Sequence, residues 1–244
     1  MNPAPLLSIV VPAYNEAKRI GRTLGILQEY LESNGWNAEV IVVNDGSSDE
    51  TAQVVEAHCS RWGALQLIHN GGNLGKGYSV RNGALAAKGD IILFTDADLS
   101  APIAEAPKLI EPIRHGECDV TFGSRAVDRS LIGVHQSSFR ETSGRIFNLF
   151  VQGLTGLPFK DTQCGFKAFR RSTAVPVFEC QTIFGFGFDP EILYIAKKRG
   201  LRLREIPVRW DHVEGTTVRF VKDSCRMFLD LLQIRWNDLC GRYQ

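Results

Sequence analysis

The chain has 244 residues, 44% hydrophobic and 23% charged. That composition suits one globular domain of generous size, with or without a C-terminal extension, and argues against disorder. The net charge of +1 hides an asymmetry, because residues 1–122 carry −6 and residues 123–244 carry +7. The basic half is therefore a candidate surface for an anion such as a lipid phosphate or a membrane face, and no nucleic-acid partner is expected. No apolar run approaches the roughly 18–20 residues of a membrane span. The opening "MNPAPLLSIVVPAYNE" has neither a basic n-region nor a cleavage site, so no signal peptide is expected. Six scattered cysteines form no C-x-x-C pair and read as free thiols of a reducing cytoplasm.

In chain order, apolar strands are expected at Leu6–Tyr14, Glu39–Gly46, Leu65–Asn70, Asp90–Asp96 and Asp119–Arg125. Helical patterns separate them. Ile20, Leu24, Leu27 and Leu31 recur at helical spacing, and a capping box from Ser47 to Glu50 opens a second helix. "GKGYSVRNGALAAKG" and "PIAEAPKLIEPIRHG" each end in a glycine that reads as a C-cap. Continuous Val/Ile/Leu strands alternating with helices predict an α/β fold, a Rossmann-like, doubly wound, mostly parallel sheet. The second half is less regular. A helix is expected over Phe139–Leu154, a strand at Cys164–Arg171, a helix over Gly187–Gly200 and one half-buried strand at Leu201–Trp210. The last segment predicts an amphipathic helix with Val221, Cys225, Phe228, Leu229, Leu232, Trp236 and Leu239 on one face, flanked by Lys222, Arg226, Arg235 and Arg242. Such a helix either lies in a membrane interface or packs on its own domain.

Doubly wound sheets bind ligands outside the carboxyl ends of their strands. Tyr14, Asn15 and Glu16 follow the first strand, Asn44 and Asp45 the second, and Asp96 and Asp98 the fourth. Two hard carboxylates one residue apart repel each other unless a cation lies between them. A divalent ion that completes its shell with substrate phosphates answers that need. The alternatives are a helix N-cap with a first-turn acid, or an aspartyl phosphatase nucleophile, although the latter motif closes the first strand of its domain. "NGGNLGKGYS" resembles a phosphate loop but is one residue short of Walker A and has no Ser/Thr after the lysine; Lys76 remains able to meet a diphosphate.

The stretches "SIVVPAYNEAKRI", "VIVVNDGSSDET", "GNLGKGYSVRNGALAAKGDIILFTDADLS", "FGSR", "DTQCGFKAFRR", "FGFDPEILYIAKKRGLRLREIPVRW" and "EGTTVRFVKDSCRMFLDLLQIRWN" resemble, in order and over nearly the whole chain, glycosyltransferase family 2 with its GT-A fold. They look most like the subgroup that makes dolichyl-phosphate glucose and dolichyl-phosphate mannose, with "DTQCGFK" and "LLQIRWN" leaning to the glucosyl branch. The resemblance implies a catalytic domain over 1–215, divided into a nucleotide-sugar half (1–122) and an acceptor half (123–215), and a C-terminal amphipathic helix over 216–244. It implies that Pro12, Tyr14, Asn15 and Glu16 line the nucleotide site with Lys76, that Asp45 reads the base edge, and that Asp96 and Asp98 hold Mg²⁺ or Mn²⁺ against the diphosphate. Arg125 and Arg140 would hold an acceptor phosphate and Gln163 would lie near the sugar. Two positions depart from the family pattern: Ser100 stands where mannosyl enzymes often carry Gln, and Thr217 where relatives tend to have Lys.

The expected reaction is an inverting transfer of a hexose to a polyprenyl phosphate, from UDP-glucose first and GDP-mannose second, by a protein peripheral to the cytoplasmic face of a membrane. A lipid phosphate is already anionic and needs no base, only orientation by fixed cations. If the acceptor were a sugar hydroxyl, as in polysaccharide or glycolipid synthesis, a base would be needed, and Asp161, Asp189 and Glu191 are the candidates. A nucleotide-sugar binding module without turnover is the non-enzymatic rival. Oligomeric state is not legible.

Overall fold

The computed structural model describes residues 6–213 and 220–244. Its first half follows the expected alternation: β1 (Leu7–Ala13), α1 (Ile20–Ser33), β2 (Ala38–Asn44), α2 (Thr51–Cys59), β3 (Leu65–His69), α3 (Lys76–Ala86), β4 (Ile91–Thr95), α4 (Ala106–Arg114) and β5 (Val120–Ser124). β6 (Ile132–Val134), α5 (Ser138–Thr155), β7 (Phe166–Arg170), α6 (Arg171–Cys180), α7 (Phe188–Lys198), β8 (Leu203–Pro207), β9 (Trp210–Asp211) and α8 (Phe220–Leu239) complete it. Seven strands form one sheet in the order β3-β2-β1-β4-β7-β5-β8, and β6 pairs with β9 in a small second sheet.

Both faces of the large sheet are buried, which is why its strands are apolar without alternation. Ile9 and Val11 of β1 pack with Ile20, Leu24 and Leu27 of α1 and Leu109, Ile110 and Ile113 of α4. Val10, pointing the other way, packs with Val80 and Ala84 of α3 and with the core of α6 and α7. β7 comes from the second half of the chain and inserts antiparallel between β4 and β5. The first-half strands are therefore not one uninterrupted parallel sheet. That insertion carries the loop before β7 to the carboxyl end of β4, beside Asp96 and Asp98.

Several local expectations are corrected. α2 starts at Thr51 with no capping box; the Asp49 carboxylate accepts from the Thr51 N–H at 3.0 Å, and the Ser47 hydroxyl accepts from the Asn15 N–H at 2.9 Å. Gly116 does end α4 with φ +72°, but α3 ends at Ala86, with Ala87 already extended. Gly89 serves a close approach instead, since a Cβ there would lie 2.7 Å from the backbone of β1. The strand expected over Leu201–Trp210 is two, β8 and β9, in different sheets.

The largest difference is in α8. Leu231, Ile234 and Asn237 are fully buried, while Leu229 and Trp236 are each 62% exposed and Leu239 is 75% exposed. The helix packs on the domain through an edge that includes an asparagine, and the face richest in apolar residues turns outward. The side chains of Val221 and Lys222, and Thr217 altogether, lie outside the described residues. Truncating a fully buried Leu side chain typically costs about 2–5 kcal/mol, and an exposed one within about 0.5 kcal/mol. Leu231→Ala is therefore expected to lower the denaturation midpoint markedly and Leu229→Ala to leave it nearly unchanged; equal effects in urea unfolding would contradict this packing.

Candidate active site

Three strand ends meet at one edge of the sheet. After β1, Asn15 adopts φ +55° and its side-chain oxygen accepts from the Ser48 N–H at 2.8 Å, tying the first loop to the second. Asn15 thereby positions its neighbours and does not itself line the cavity. Tyr14 and Glu16 do line it. Glu16 is paired with Arg19. Burial pushes its carboxyl above the ordinary range, Arg19 opposes that, and Asp98 and Asp96 add to it.

After β2, Asp45 is 4% exposed. Its carboxylate accepts from the Asn70 side chain at 2.8 Å, the Leu74 N–H at 3.0 Å and the Gly75 N–H at 2.8 Å. Its first task is thus to hold the glycine-rich loop ahead of α3, while one edge still borders the cavity. That loop needs its glycine: Gly75 has φ +107° and its Cα faces the Phe184 carbonyl. The loop delivers Lys76, whose ammonium meets the Asp96 carboxylate at 2.5 Å. Burial works against the charge on Lys76, but Asp96 and Asp189 outweigh it and raise its pKa.

After β4, the Leu99 N–H donates to the Asp96 carbonyl at 3.1 Å and the Ser100 N–H donates to the Asp98 carboxylate at 2.9 Å. Leu99 sits at φ +48°, a conformation uncommon for a non-glycine residue that marks a turn held by its surroundings. No helix begins here, since the next helical turn starts at Ile103. The N-cap reading of the two aspartates is therefore set aside.

Two cavities share this point. One, of about 440 Å³, is bordered by Pro12, Tyr14, Glu16, Asp45, Lys76, Asp96 and Asp98, and closed on its far side by Phe186 and by Arg226, Met227 and Asp230 of α8. The other, of about 310 Å³, runs from Lys76, Asp96 and Asp98 to Arg125, Arg140, Gln163 and Asp189. Of the residues that the resemblance assigns to the site, all but Asn15 line one of the two; of the candidate bases only Asp189 does, and Asp161 and Glu191 do not.

The second cavity is the cationic one. Asp161 holds Arg125 in a bidentate pair, Nε at 2.6 Å and Nη2 at 2.8 Å, and the guanidinium lies 5.5 Å from the Trp210 ring centre. Asp161 is buried, which disfavours its charge, yet Arg125 prevails and holds the carboxyl at about 2. This commits Asp161 to positioning Arg125, and a group so acidic is a poor base near neutral pH. Nη1 of Arg125 has no partner among the described residues and is left for another anion. Arg140, in the first turn of α5, pairs with no acid among the described residues. Gln163 donates its backbone N–H to Asp161 at 3.1 Å, so the "DTQC" loop and Arg125 form one unit. Glu191, the third candidate base, is fully buried and accepts from Thr182, Ile183 and Tyr243. It lines neither of these two cavities and serves structure.

The aspartate pair suits a hard divalent cation. Among the described residues no third His, Cys, Asp or Glu completes a protein cage. Such a site leaves its remaining positions to phosphate and water, as Mg²⁺ and Mn²⁺ sites at nucleotides do. Ser100 borders the same space but offers only a neutral hydroxyl.

A model of the family described as glycosyl transferase family 2 matches residues 8–175. The chain belongs to that family. It is 35% identical over 243 residues to a dolichyl-phosphate beta-glucosyltransferase of Trichomonas vaginalis, covering 95% of this chain and 73% of that protein. It is 34% identical to the dolichyl-phosphate beta-glucosyltransferase of Saccharomyces cerevisiae (98% and 76% covered) and 33% identical to that of Homo sapiens (100% and 79% covered). Among solved structures, Mycobacterium tuberculosis glucosyl-3-phosphoglycerate synthase in complex with Mn²⁺, UDP and phosphoglyceric acid superposes with a TM-score of 0.69 at 18% identity, covering 98% of this chain and 78% of that one. That likeness establishes the GT-A fold. The protein is a glycosyltransferase, and the phosphatase and binding-module readings are withdrawn.

Sequence reading missed the groups that α8 and the loop before α7 bring to the site: Phe186, Met227, Arg226 and Asp230. It also passed over Lys167, although a lysine in the middle of a strand buried on both faces was a signal. Gly165, in the "CGF" turn, leaves room for the aspartate pair, because a Cβ there would overlap the Asp96 carboxylate. Gly165→Ala is expected to displace Asp96 and to weaken Mn²⁺-dependent nucleotide binding about 10-fold or more, with little loss of thermal stability. Unchanged affinity by calorimetry would remove Gly165 from the site.

Proposed function

We propose that the protein transfers glucose from UDP-glucose to a polyprenyl phosphate of the dolichyl type, with inversion, in a reaction dependent on Mg²⁺ or Mn²⁺, with GDP-mannose as the second choice of donor. The observation that carries this reading is the joining of two cavities at Asp96, Asp98 and Lys76, one fit for a nucleotide diphosphate and the other lined by Arg125 and Arg140. The names of the relatives support glucose and the lipid phosphate.

In this reading Asp96 and Asp98 hold the divalent ion. Bound there, the ion neutralises the diphosphate and assists its departure as a Lewis acid. Lys76 lies on the border of both cavities and meets the same phosphates from the other side. Pro12, Tyr14 and Glu16 enclose the nucleoside, with Asp45 at the base edge. Arg125 and Arg140 hold the acceptor phosphate, and guanidinium groups suit that task because their forked donors match phosphate oxygens. The acceptor oxygen arrives as an anion, so no residue has to remove a proton. In-line attack on the far face of the anomeric carbon inverts its configuration. Purified protein given UDP-glucose, Mn²⁺ and a short polyprenyl phosphate is expected to yield a glucosyl-phosphate lipid by mass spectrometry, and a chelator to abolish it. Arg140→Ala is expected to lower kcat/KM for the lipid phosphate 10-fold or more while leaving UDP affinity intact. Metal-dependent donor hydrolysis without lipid product would sink the phosphate acceptor and favour a hydroxyl.

We further place the reaction at the cytoplasmic face of a membrane. α5 and α8 pack side by side, with Phe150 and Phe228 in edge-to-face contact at 5.3 Å. Their outer faces expose Phe139, Ile146, Leu149 and Phe150, and Leu229, Leu232, Trp236 and Leu239. An apolar surface of that extent on two adjacent helices, in the basic half of the chain, suits an anionic lipid interface. The acceptor cavity opens between the same helices, at Phe147, Ser224 and Met227. No helix among the described residues is long and apolar enough to cross a membrane, so contact through this face would be peripheral. The six free cysteines support a reducing compartment. The protein is expected to co-sediment with vesicles containing phosphatidylserine, and the pair Leu229→Ser/Trp236→Ser to reduce the bound fraction at least several-fold. Equal binding by both proteins would exclude this face.

A further inference from the structure

Asp189 stands in the first turn of α7 and is only 4% exposed, yet it borders the acceptor-side cavity. Its Oδ1 accepts from the ammonium of Lys167 in β7, a lysine with no solvent exposure at all. That ammonium also donates to the Cys164 carbonyl at 2.6 Å and lies 5.4 Å from the Phe94 ring centre. Oδ2 of Asp189 has no donor among the described residues, and Asp189 lines the cavity. A carboxylate bordering a site is thus clamped by one oxygen and keeps the other without a protein donor.

An ion pair this deeply buried is weak ground for stability, because desolvating two charges offsets most of their attraction. Its value lies in what it offers the cavity. Asp189 shares this cavity with two groups that the proposed function gives tasks. Lys76, Asp96 and Asp98 meet the diphosphate on one side, and Gln163, Arg125 and Arg140 meet the acceptor on the other. The unit being transferred must bridge those groups, because its anomeric carbon has to reach both the leaving oxygen and the attacking one. A hexose there presents hydroxyl donors to the wall. A fixed anionic acceptor is the complementary group, and hydrogen bonds to charged groups are among the stronger ones.

We propose that Asp189, fixed in place by Lys167, reads the transferred hexose by accepting hydrogen bonds from its hydroxyl groups through Oδ2, and is not a general base. This inference rests on the glycosyltransferase reading of the site but not on the identity of the acceptor. The phosphate acceptor has no proton to give up, so the base role considered from the sequence has no task in that reaction. Lys167 is a positioning residue, since it acts on the sugar only through Asp189.

The test is a binding measurement in Mn²⁺ without acceptor, so that a failure of the lipid-phosphate reading leaves it intact. Affinities for UDP, UDP-glucose and the 3-, 4- and 6-deoxy analogues of UDP-glucose are compared in the native protein and in Asp189→Asn. The native protein is expected to bind UDP-glucose more tightly than UDP and to lose affinity with at least one deoxy analogue. Asp189→Asn is expected to bind UDP as before, to bind UDP-glucose about 10- to 100-fold more weakly, and to be indifferent to that analogue. Should Asp189→Asn fail to fold, the pair Lys167→Met/Asp189→Leu removes both charges at once and takes the same measurements. Three results would overturn the proposal: no discrimination among the analogues by the native protein, an equal loss of UDP affinity in the variant, or full UDP-glucose affinity with turnover lost, the signature of a base.

Discussion

A carboxylate at the end of a buried strand needs a cation or hydrogen-bond donors to meet it, and in this protein Lys76 meets Asp96. Much of the surrounding structure serves that contact. Asp45 pins the loop that carries Lys76, and Gly75 lets the loop pass under the Phe184 carbonyl. Gly165 leaves the space that the Asp96 carboxylate occupies. Tyr78 continues the same support, its N–H donating to the Phe184 carbonyl and its ring packed edge-on against Phe184.

Charge then divides along the cavity in a way that follows the chemistry. Acids gather where a divalent ion and a nucleoside would sit, and free guanidinium hydrogens gather where a second phosphate would sit. Asp189, paired with the buried Lys167, borders the smaller cavity as well. Each of the three acids weighed as a base already has a partner: Asp161 orients Arg125, Asp189 is clamped by Lys167, and Glu191 joins the loop before α7 to Tyr243. That allocation is why a reaction needing only orientation and neutralisation fits the site better than one needing proton removal.

The final helix connects the site with the outer surface. Arg226, Met227 and Asp230 close the cavity beside Pro12 and Tyr14, and Leu231 and Ile234 anchor the helix in the core. Its inner polar face is held by Asn237, which donates to Thr182 at 2.7 Å, next to the loop that supplies Phe186. The opposite face is apolar and open. A single helix thus walls one cavity and forms, with α5, an exposed apolar surface, so an acceptor drawn from a lipid phase would enter beside Lys76 and the aspartate pair.

How much of this was legible before folding depends on the range of the interactions. The strand and helix pattern of the first half, the gathering of Asp45, Asp96 and Asp98 at one sheet edge, and the family motifs are local features, and the primary sequence determined them because apolar runs and turn residues act over a few positions. Tertiary structure alone decided the placement of β7 between β4 and β5, the capture of Asp161 by Arg125 and the burial of Lys167 against Asp189. Each joins groups distant along the chain, and no spacing rule relates them. The α8 face shows the limit most clearly. Periodicity located an apolar stripe, yet packing buried a different edge containing Asn237, because a buried amide with hydrogen-bond partners is as admissible in a core as a leucine, and which stripe meets the domain depends on the surface waiting for it.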